Sequence, residues 1–140
     1  MLHFELQVYG NKAVANELRT AAAGMQRRVT NATYDWAMSR VVAQLVGMSY
    51  PPKRPGQKHV RTFRLKSGWS ATVKGKGVTI SNRMPYAGYV MGDARGQRQA
   101  WMHRGRWPLT KAIIDKERPR LKKGIEDEVG RAFPTLRRTW

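Results

Sequence analysis

Residues 69–81 have the sequence WSATVKGKGVTIS. Apolar and polar residues alternate over 69–73, and the alternation returns over 78–81, which is the period-two pattern of strands with one buried face. The residues between the two runs, 75–77, are Gly-Lys-Gly. We therefore predict an antiparallel β-hairpin closed by a three-residue turn with glycine at both ends.

The residues before the hairpin predict a strand and one long helix. Apolar residues alternate with polar ones over 2–8, which predicts a strand with one buried face. Asn11 is a suitable helix N-cap, and apolar side chains then recur every three or four residues. We predict an amphipathic helix that ends at Gly47, with Gly24 and residues 29–33 as the points where it could bend or split.

The residues after the hairpin predict a second helix. The segment PYAGYVMG, 85–92, fits a third strand and a helical turn equally well, and both alternatives stay open. Pro108 then opens a helix, because proline is favoured in the first helical turn. Pro119 is expected to kink or restart it, because proline lacks the N–H donor and clashes with the preceding turn. A second apolar stripe follows at Leu121, Ile125, Val129, Ala132 and Phe133.

Two irregular basic loops separate these elements. Three prolines and a glycine prevent regular structure in the first loop, about 50–64, and the second loop, 92–107, has no apolar periodicity. We expect both loops to be flexible and to contact a partner or DNA. The candidate contact residues are Lys53, Arg54, Lys58, Arg61 and Arg64 in the first loop and Arg95, Arg98, Arg104 and Arg106 in the second, with Trp101 and Trp107 as loop anchors.

This order of elements predicts a single α+β domain over residues 1–140. We expect the long N-terminal helix to pack on a small, mostly antiparallel β-sheet, with a C-terminal helix and the two basic loops completing the fold. Cysteine is absent, which excludes zinc ribbons, iron–sulfur sites, thiol catalysis and disulfides. No run approaches the roughly 18 apolar residues of a membrane span, and no signal-peptide pattern opens the chain, so we expect a soluble, unsecreted protein.

Positive charge is concentrated in the middle of the chain. The protein has 27 Lys and Arg against 9 Asp and Glu, a formal net charge of +18. Residues 51–109 hold 13 of the basic residues and one acid, Asp93, so this stretch alone supplies +12. Such a concentration meets phosphate, an anionic membrane surface or the acidic face of another protein. Trp101 and Trp107 would stack on bases, or anchor the loop on the core or on a partner protein.

Few residues indicate catalysis or metal binding. His59 and His103 lie in the basic loops, where they are a candidate acid–base pair for phosphodiester chemistry or simply two exposed histidines. The only acidic cluster is 126–128, and consecutive helical residues point about 100° apart, so its carboxylates cannot converge on one ion. No phosphate-binding glycine loop, nucleophile elbow or catalytic triad spacing occurs. We expect no enzymatic activity, no metal and no cofactor.

Three short segments, 62–69, 85–89 and 107–112, follow the long helix in a recognisable order. In this order the chain resembles the tail-component family of long-tailed bacteriophages, small proteins that complete the tail or join it to the head. The family's glycine after the threonine is Phe63 here, and its acidic residue after the second segment is missing around Met91. The matching residues are Thr62, Arg64, Leu65, Ser67, Trp69, Pro85, Tyr86, Ala87, Tyr89, Trp107, Pro108, Leu109 and Ala112.

The resemblance implies a non-enzymatic virion protein that forms a homo-oligomeric ring at the head–tail junction, or neck, or at the upper end of the tail. The implied partners are the head completion or adaptor ring and the tail tube proteins, with transient contact with phage DNA and none with membrane. The protein would assemble in the host cytoplasm. The basic loops would be arms that order on assembly and mostly face acidic protein surfaces, because a lumen that bound DNA strongly would impede DNA exit.

Two other hypotheses follow from the residues themselves. The basic composition and the +12 stretch would also suit a free-standing nucleic-acid-binding protein, whose affinity would fall by orders of magnitude as salt rises. A phosphodiester enzyme using His59 and His103 is the third hypothesis. Salt titration of nucleic-acid binding and alanine substitution of the two histidines distinguish these from an assembly role.

Overall fold

A computed structural model describes residues 12–58 and 60–132. The described chain is an α+β domain with a long N-terminal helix, a two-stranded antiparallel sheet and a C-terminal helix, as predicted. The predicted strand over 2–8, the cap at Asn11, and residues His59 and Phe133 lie outside the described residues. In chain order the elements are α1 (Lys12–Trp36), a π-helical segment (Ala37–Val42), α2 (Ala43–Gly47), α3 (Arg64–Ser67), β1 (Trp69–Lys74), β2 (Gly77–Asn82), α4 (Ala87–Met91), a 3-10 turn (Trp101–His103) and α5 (Thr110–Ala132).

The long N-terminal helix ends at Gly47, as its apolar pattern predicts, but it is interrupted elsewhere than expected. The interruption is the π-helical segment, whereas the helix is regular at Gly24 and over 29–33. A π turn inserts an extra residue and so changes which side chains face inward. Ala37 and Val42 are buried here, against the hairpin.

The hairpin is present, with a tighter turn than predicted. β1 and β2 pair antiparallel from Trp69 opposite Asn82 to Lys74 opposite Gly77. The three-residue turn is therefore wrong, because Gly77 is a strand residue and only two residues form the turn. Gly75 has φ of 58°, the left-handed value that the first residue of a type II′ hairpin turn requires.

The main core lies where α2, α3, α4 and the hairpin meet. The segment 85–92 contains a helix, α4, and not a third strand. Gly92 ends α4 with φ of 75°, and a Cβ atom there would lie 2.7 Å from Cδ2 of Leu109. Glycine is thus required where the chain leaves α4 beside the start of α5. The buried core residues are Val41, Leu45, Leu65, Ala87, Val90 and Met91.

Helix α5 packs on α1 through Glu117, which is almost fully buried. Trp36 Nε1 donates to the Glu117 backbone oxygen at 3.0 Å, and Gln44 Nε2 donates to its carboxylate at 2.7 Å. The Gln44 hydrogen bond, followed by that from Arg120, lowers the pKa of Glu117 and so keeps it charged at neutral pH. Pro119 does not restart the helix as expected, because α5 continues from 110 to 132. Its contacts with α1, which include the Trp36 hydrogen bond at Glu117, hold the helix next to the proline.

Within the described ranges, no helix combines the length and the apolar character that crossing a bilayer requires.

Candidate functional site

The two basic loops contact each other and form one surface. Arg54 Nη2 of the first loop donates to the Met102 backbone oxygen of the second at 2.7 Å. Arg106 Nη2 of the second loop donates to the Pro52 backbone oxygen of the first. Each guanidinium binds a carbonyl that the other loop would otherwise expose to water. The predicted arms are thus joined by a reciprocal pair of charge-assisted hydrogen bonds.

The second loop is also held by its own polar side chains. Gln99 is buried, and its Nε2 donates to the backbone oxygens of Val90 at 2.9 Å and Trp107 at 3.0 Å. Asp93 Oδ1 accepts hydrogen bonds from the backbone N–H groups of Arg95 and Gln97. The one acid of the basic stretch therefore serves to close a turn.

Tyr50 joins the two loops at the base of the site. Its ring lies 4.9 Å from that of Phe63 and 4.8 Å from that of Trp107, centroid to centroid. The Arg61 guanidinium lies 5.8 Å from the centre of the same ring, within cation–π range. Tyr50 Oη accepts a 3.2 Å hydrogen bond from the Lys66 backbone N–H, which fixes the ring on α3.

Phe63 has an unusual backbone conformation for a bulky residue. Its φ of 56° and ψ of 13° are left-handed, which costs roughly 1–2 kcal/mol for a residue with a Cβ. The ring is nevertheless 50% exposed, and Lys66 Nζ lies 5.6 Å from its centre. Strain of this kind at an exposed aromatic side chain makes Phe63 a candidate functional residue.

These residues surround a cleft of about 300 Å³ between the two loops. We call it the aromatic cleft. It combines broad apolar walls with cations that can reach a bound group. Its aromatic walls are Tyr50, Phe63, Tyr86 and Trp107, and its basic residues are Arg61, Arg64 and Arg106.

Exposed apolar side chains extend the cleft into a larger surface. Trp107 packs against the core beside Tyr50, but Trp101 is 74% exposed and does not anchor its loop on the core. The reason is that Gln99 and Arg106 already hold this loop, which leaves the 3-10 turn free to project Trp101 outward. The large exposed apolar residues of the loops and of 86–91 are Val60, Phe63 and Tyr86, which line the cleft, and Tyr89, Trp101 and Met102, which do not.

The predicted basic residues have no carboxylate partner among the described residues, because all five ion pairs of that part of the chain lie within α5. Arg104 Nε donates to the Gln99 backbone oxygen at 3.3 Å, so Arg54, Arg104 and Arg106 each bind a loop carbonyl. Arg61 and Arg64 line the cleft. The other four predicted basic residues are exposed on the loops: Lys53, Lys58, Arg95 and Arg98.

His103 lies at the junction of the loops, whereas His59 is outside the described residues. The His103 ring packs edge-on against Trp107, with centroids 6.5 Å apart, and its buried Nδ1 has no hydrogen-bond partner among the described residues. Burial, followed by the charges of Arg106 and Arg54, lowers the pKa of His103 and so favours the neutral ring. Catalytic pairing of the two histidines stays a hypothesis.

The acidic cluster on α5 is engaged in ion pairs with neighbouring residues. Glu126 pairs with Lys122, and Glu128 pairs with Arg131. In the part of the chain that the structure covers, no three His, Asp or Glu side chains are grouped so that they could hold a metal ion.

Comparisons of the chain with protein-family models, curated proteins and solved structures found no match. The functional residues that sequence reasoning missed are Tyr50, Phe63 and Tyr86 as cleft walls. Tyr50 and Phe63 bracket the proline-rich loop, and aromatic residues at both ends of such a loop are the signal that could have indicated their contact.

Proposed function

We propose that this chain is a structural protein of a long-tailed bacteriophage. It forms a homo-oligomeric ring at the head–tail junction or at the upper end of the tail, completes the tail and joins it to the head. Its partners are the head completion ring and the tail tube proteins, and its mature location is the virion.

One observation carries the proposal: the three segments that resemble the tail-component family pack together. Leu65 of the first segment and Ala87 of the second are buried in the same core cluster, and Trp107 of the third packs against it. Segments that are far apart in sequence thus form one structural unit.

The backbone at Phe63 supports the same resemblance. The tail-component pattern has glycine at this position, and glycine is favoured where φ is positive. Phe63 has φ of 56° in this chain, although no glycine is present to indicate it. Phe63 departs from the family pattern in residue type, but its backbone has a conformation that glycine adopts without strain.

The surface supports assembly over free nucleic-acid binding. Contiguous apolar side chains rimmed by arginines are characteristic of protein interfaces, where Trp, Tyr, Met and Arg are enriched. Trp101, Tyr89 and Met102 are exposed residues of these enriched types. Arg54 and Arg106, which a nucleic-acid groove would use for phosphates, donate to loop carbonyls instead.

Removal of the gene from the phage or prophage that encodes this chain tests the proposal. We expect lysates that contain filled heads and separate tails, seen by negative-stain electron microscopy, and joining restored by the gene supplied in trans. Normal numbers of joined, infectious particles without the gene would overturn the assembly role. Tight, salt-sensitive DNA binding in the same background would then favour the nucleic-acid hypothesis.

A further inference from the structure

We propose that the aromatic cleft binds an acidic segment of a partner protein. An apolar side chain of that segment enters between Tyr50, Phe63 and Tyr86, and its carboxylates pair with Arg61 and Arg64. That this partner belongs to the same particle rests on the proposed function. The chemistry of the segment, acidic with an apolar side chain, follows from the cleft itself.

The walls of the cleft supply the apolar part of the recognition. Phe63 is half exposed, and the neighbouring Val60 is 84% exposed. The strained backbone of Phe63 holds its side chain in this exposed position. Covering these side chains would gain about 25 cal/mol for each Å² of apolar area removed from water. The cleft thus presents apolar surface that the described residues leave exposed.

The charges supply the acidic part. No carboxylate of the described residues pairs with the basic residues of 51–109, since every ion pair of those residues lies within α5. Asp93, the one acid in that stretch, accepts two backbone hydrogen bonds in its own turn. Arg61 and Arg64 therefore lack an anionic partner from this surface, and an acidic segment would provide one.

A second copy of this chain, which the proposed ring would contact through other faces, is a poor occupant of the cleft itself, because the cleft needs carboxylates that are free to pair with Arg61 and Arg64. Asp115, Glu117, Glu126 and Glu128 are already paired with α5 cations, so they would have to break those pairs to dock. The charge balance therefore favours a different, acidic protein.

A nucleic acid fits the cleft less well than a peptide. The volume of about 300 Å³ is at the lower end of the range of ligand pockets, which suits one or two side chains. Single-stranded nucleic acid instead needs an extended groove along which successive bases stack. Arg106, at the cleft's edge, already donates a hydrogen bond to the Pro52 backbone oxygen.

Selection from a random dodecapeptide display library against the full-length chain tests the inference. We expect enrichment of peptides that combine Asp or Glu with Leu, Phe or Trp. A synthetic copy of an enriched peptide, measured by fluorescence anisotropy, should bind saturably. Replacing its acids by Gln, or its apolar residue by Ser, should each weaken binding about tenfold or more.

Matched variants of the protein locate the binding. Arg61→Gln with Arg64→Gln should lose about tenfold or more in affinity, and Phe63→Gly should also weaken binding while suiting the local backbone. Lys74→Gln with Lys76→Gln removes the same charge at the hairpin turn, about 17 Å along the strand from Trp69. This control should bind as the wild type does.

Three results would overturn the inference: no enrichment of acidic peptides, equal weakening by the control variant, or stronger binding of a single-stranded oligonucleotide at the same site. None of them bears on whether deletion of the gene blocks head–tail joining, so failure of the cleft inference and failure of the proposed function are distinguishable.

Discussion

Tyr50 and Trp107 pack edge to face, with ring centroids 4.8 Å apart and ring planes at 66°. Tyr50 stands at the start of the first basic loop and Trp107 near the end of the second. Two hydrogen bonds, from Arg54 and from Arg106, then connect the loops farther out. The aromatic pair is therefore the base on which the combined loop surface is built.

A double-mutant cycle with Tyr50→Ala and Trp107→Ala tests this role. Aromatic pairs add about 0.5–1.5 kcal/mol beyond the area that they bury, so the two substitutions should couple by this amount in urea denaturation. Trp101→Ala is the control, because its exposed side chain should combine additively with Tyr50→Ala. Additive effects of Tyr50→Ala and Trp107→Ala would contradict the structural role of the pair.

Because the backbone at residue 63 is left-handed, we expect a glycine variant there to be more stable than an alanine variant, which is the reverse of the usual order. Phe63→Gly and Phe63→Ala both remove the ring, but only glycine adopts φ of 56° without strain. The glycine variant should be more stable than the alanine variant by about 1 kcal/mol, measured by chemical denaturation. At a position with ordinary φ the alanine variant is the more stable, and that order here would contradict the conformation.

The pKa of His103 predicts that acid weakens the fold at the loop junction. Burial and the neighbouring Arg106 and Arg54 hold its pKa below the ordinary value of about 6.5. The unfolded chain therefore binds the proton more tightly. The stabilisation is complete above about pH 6.5 and is lost as the pH falls through that value towards the folded-state pKa.

Thermal unfolding of the wild type and of His103→Gln at pH 8 and pH 5.5 measures this effect. The wild type should lose more stability on acidification than the variant does, because only the wild type must protonate His103 on unfolding. His3 and His59 are present in both proteins and do not affect the comparison. An identical pH dependence would mean that the environment of His103 does not disfavour its charged form.

Reversal of two exposed loop charges should separate folding from assembly. Arg95 and Arg98 are exposed, whereas Arg104 and Arg106 donate to loop carbonyls and are best left intact. Arg95→Glu with Arg98→Glu should retain the wild-type melting temperature but block head–tail joining in a complementation assay. Lys74→Glu with Lys76→Glu is the control and should complement normally. Full complementation by the Arg95 and Arg98 variant would show that these charges do not contact a partner.

The sequence predicts the elements whose pattern is local. The alternation over 69–81 predicts the hairpin because each strand carries its own period, and Gly47 marks the end of the long helix because the apolar pattern stops there. The turn length is missed because Gly77 suits both a turn and a strand, and only its pairing with Lys74 decides between them.

Features that depend on tertiary contacts could not be predicted in the same way. Pro119 stays within α5 because Trp36 and Gln44 hold the helix at Glu117, and this contact is not visible in the local sequence. The basic loops were predicted as candidate contact surfaces, but their joining through Arg54 was not. The cleft brings together walls from three separate segments, the first loop, the start of α4 and the second loop, so no single motif indicates it.

Quantitative mass spectrometry of purified tailed particles tests whether this chain is a ring-forming virion protein. Isotope-labelled standards would measure this chain against the portal and tail tube proteins of the same particles. We expect a fixed ratio of this chain to the portal protein, of the order expected for two stacked rings. The copy number of this chain should be well below that of the tube protein. Absence of the chain from particles, with the chain abundant in the lysate that produced them, would contradict it.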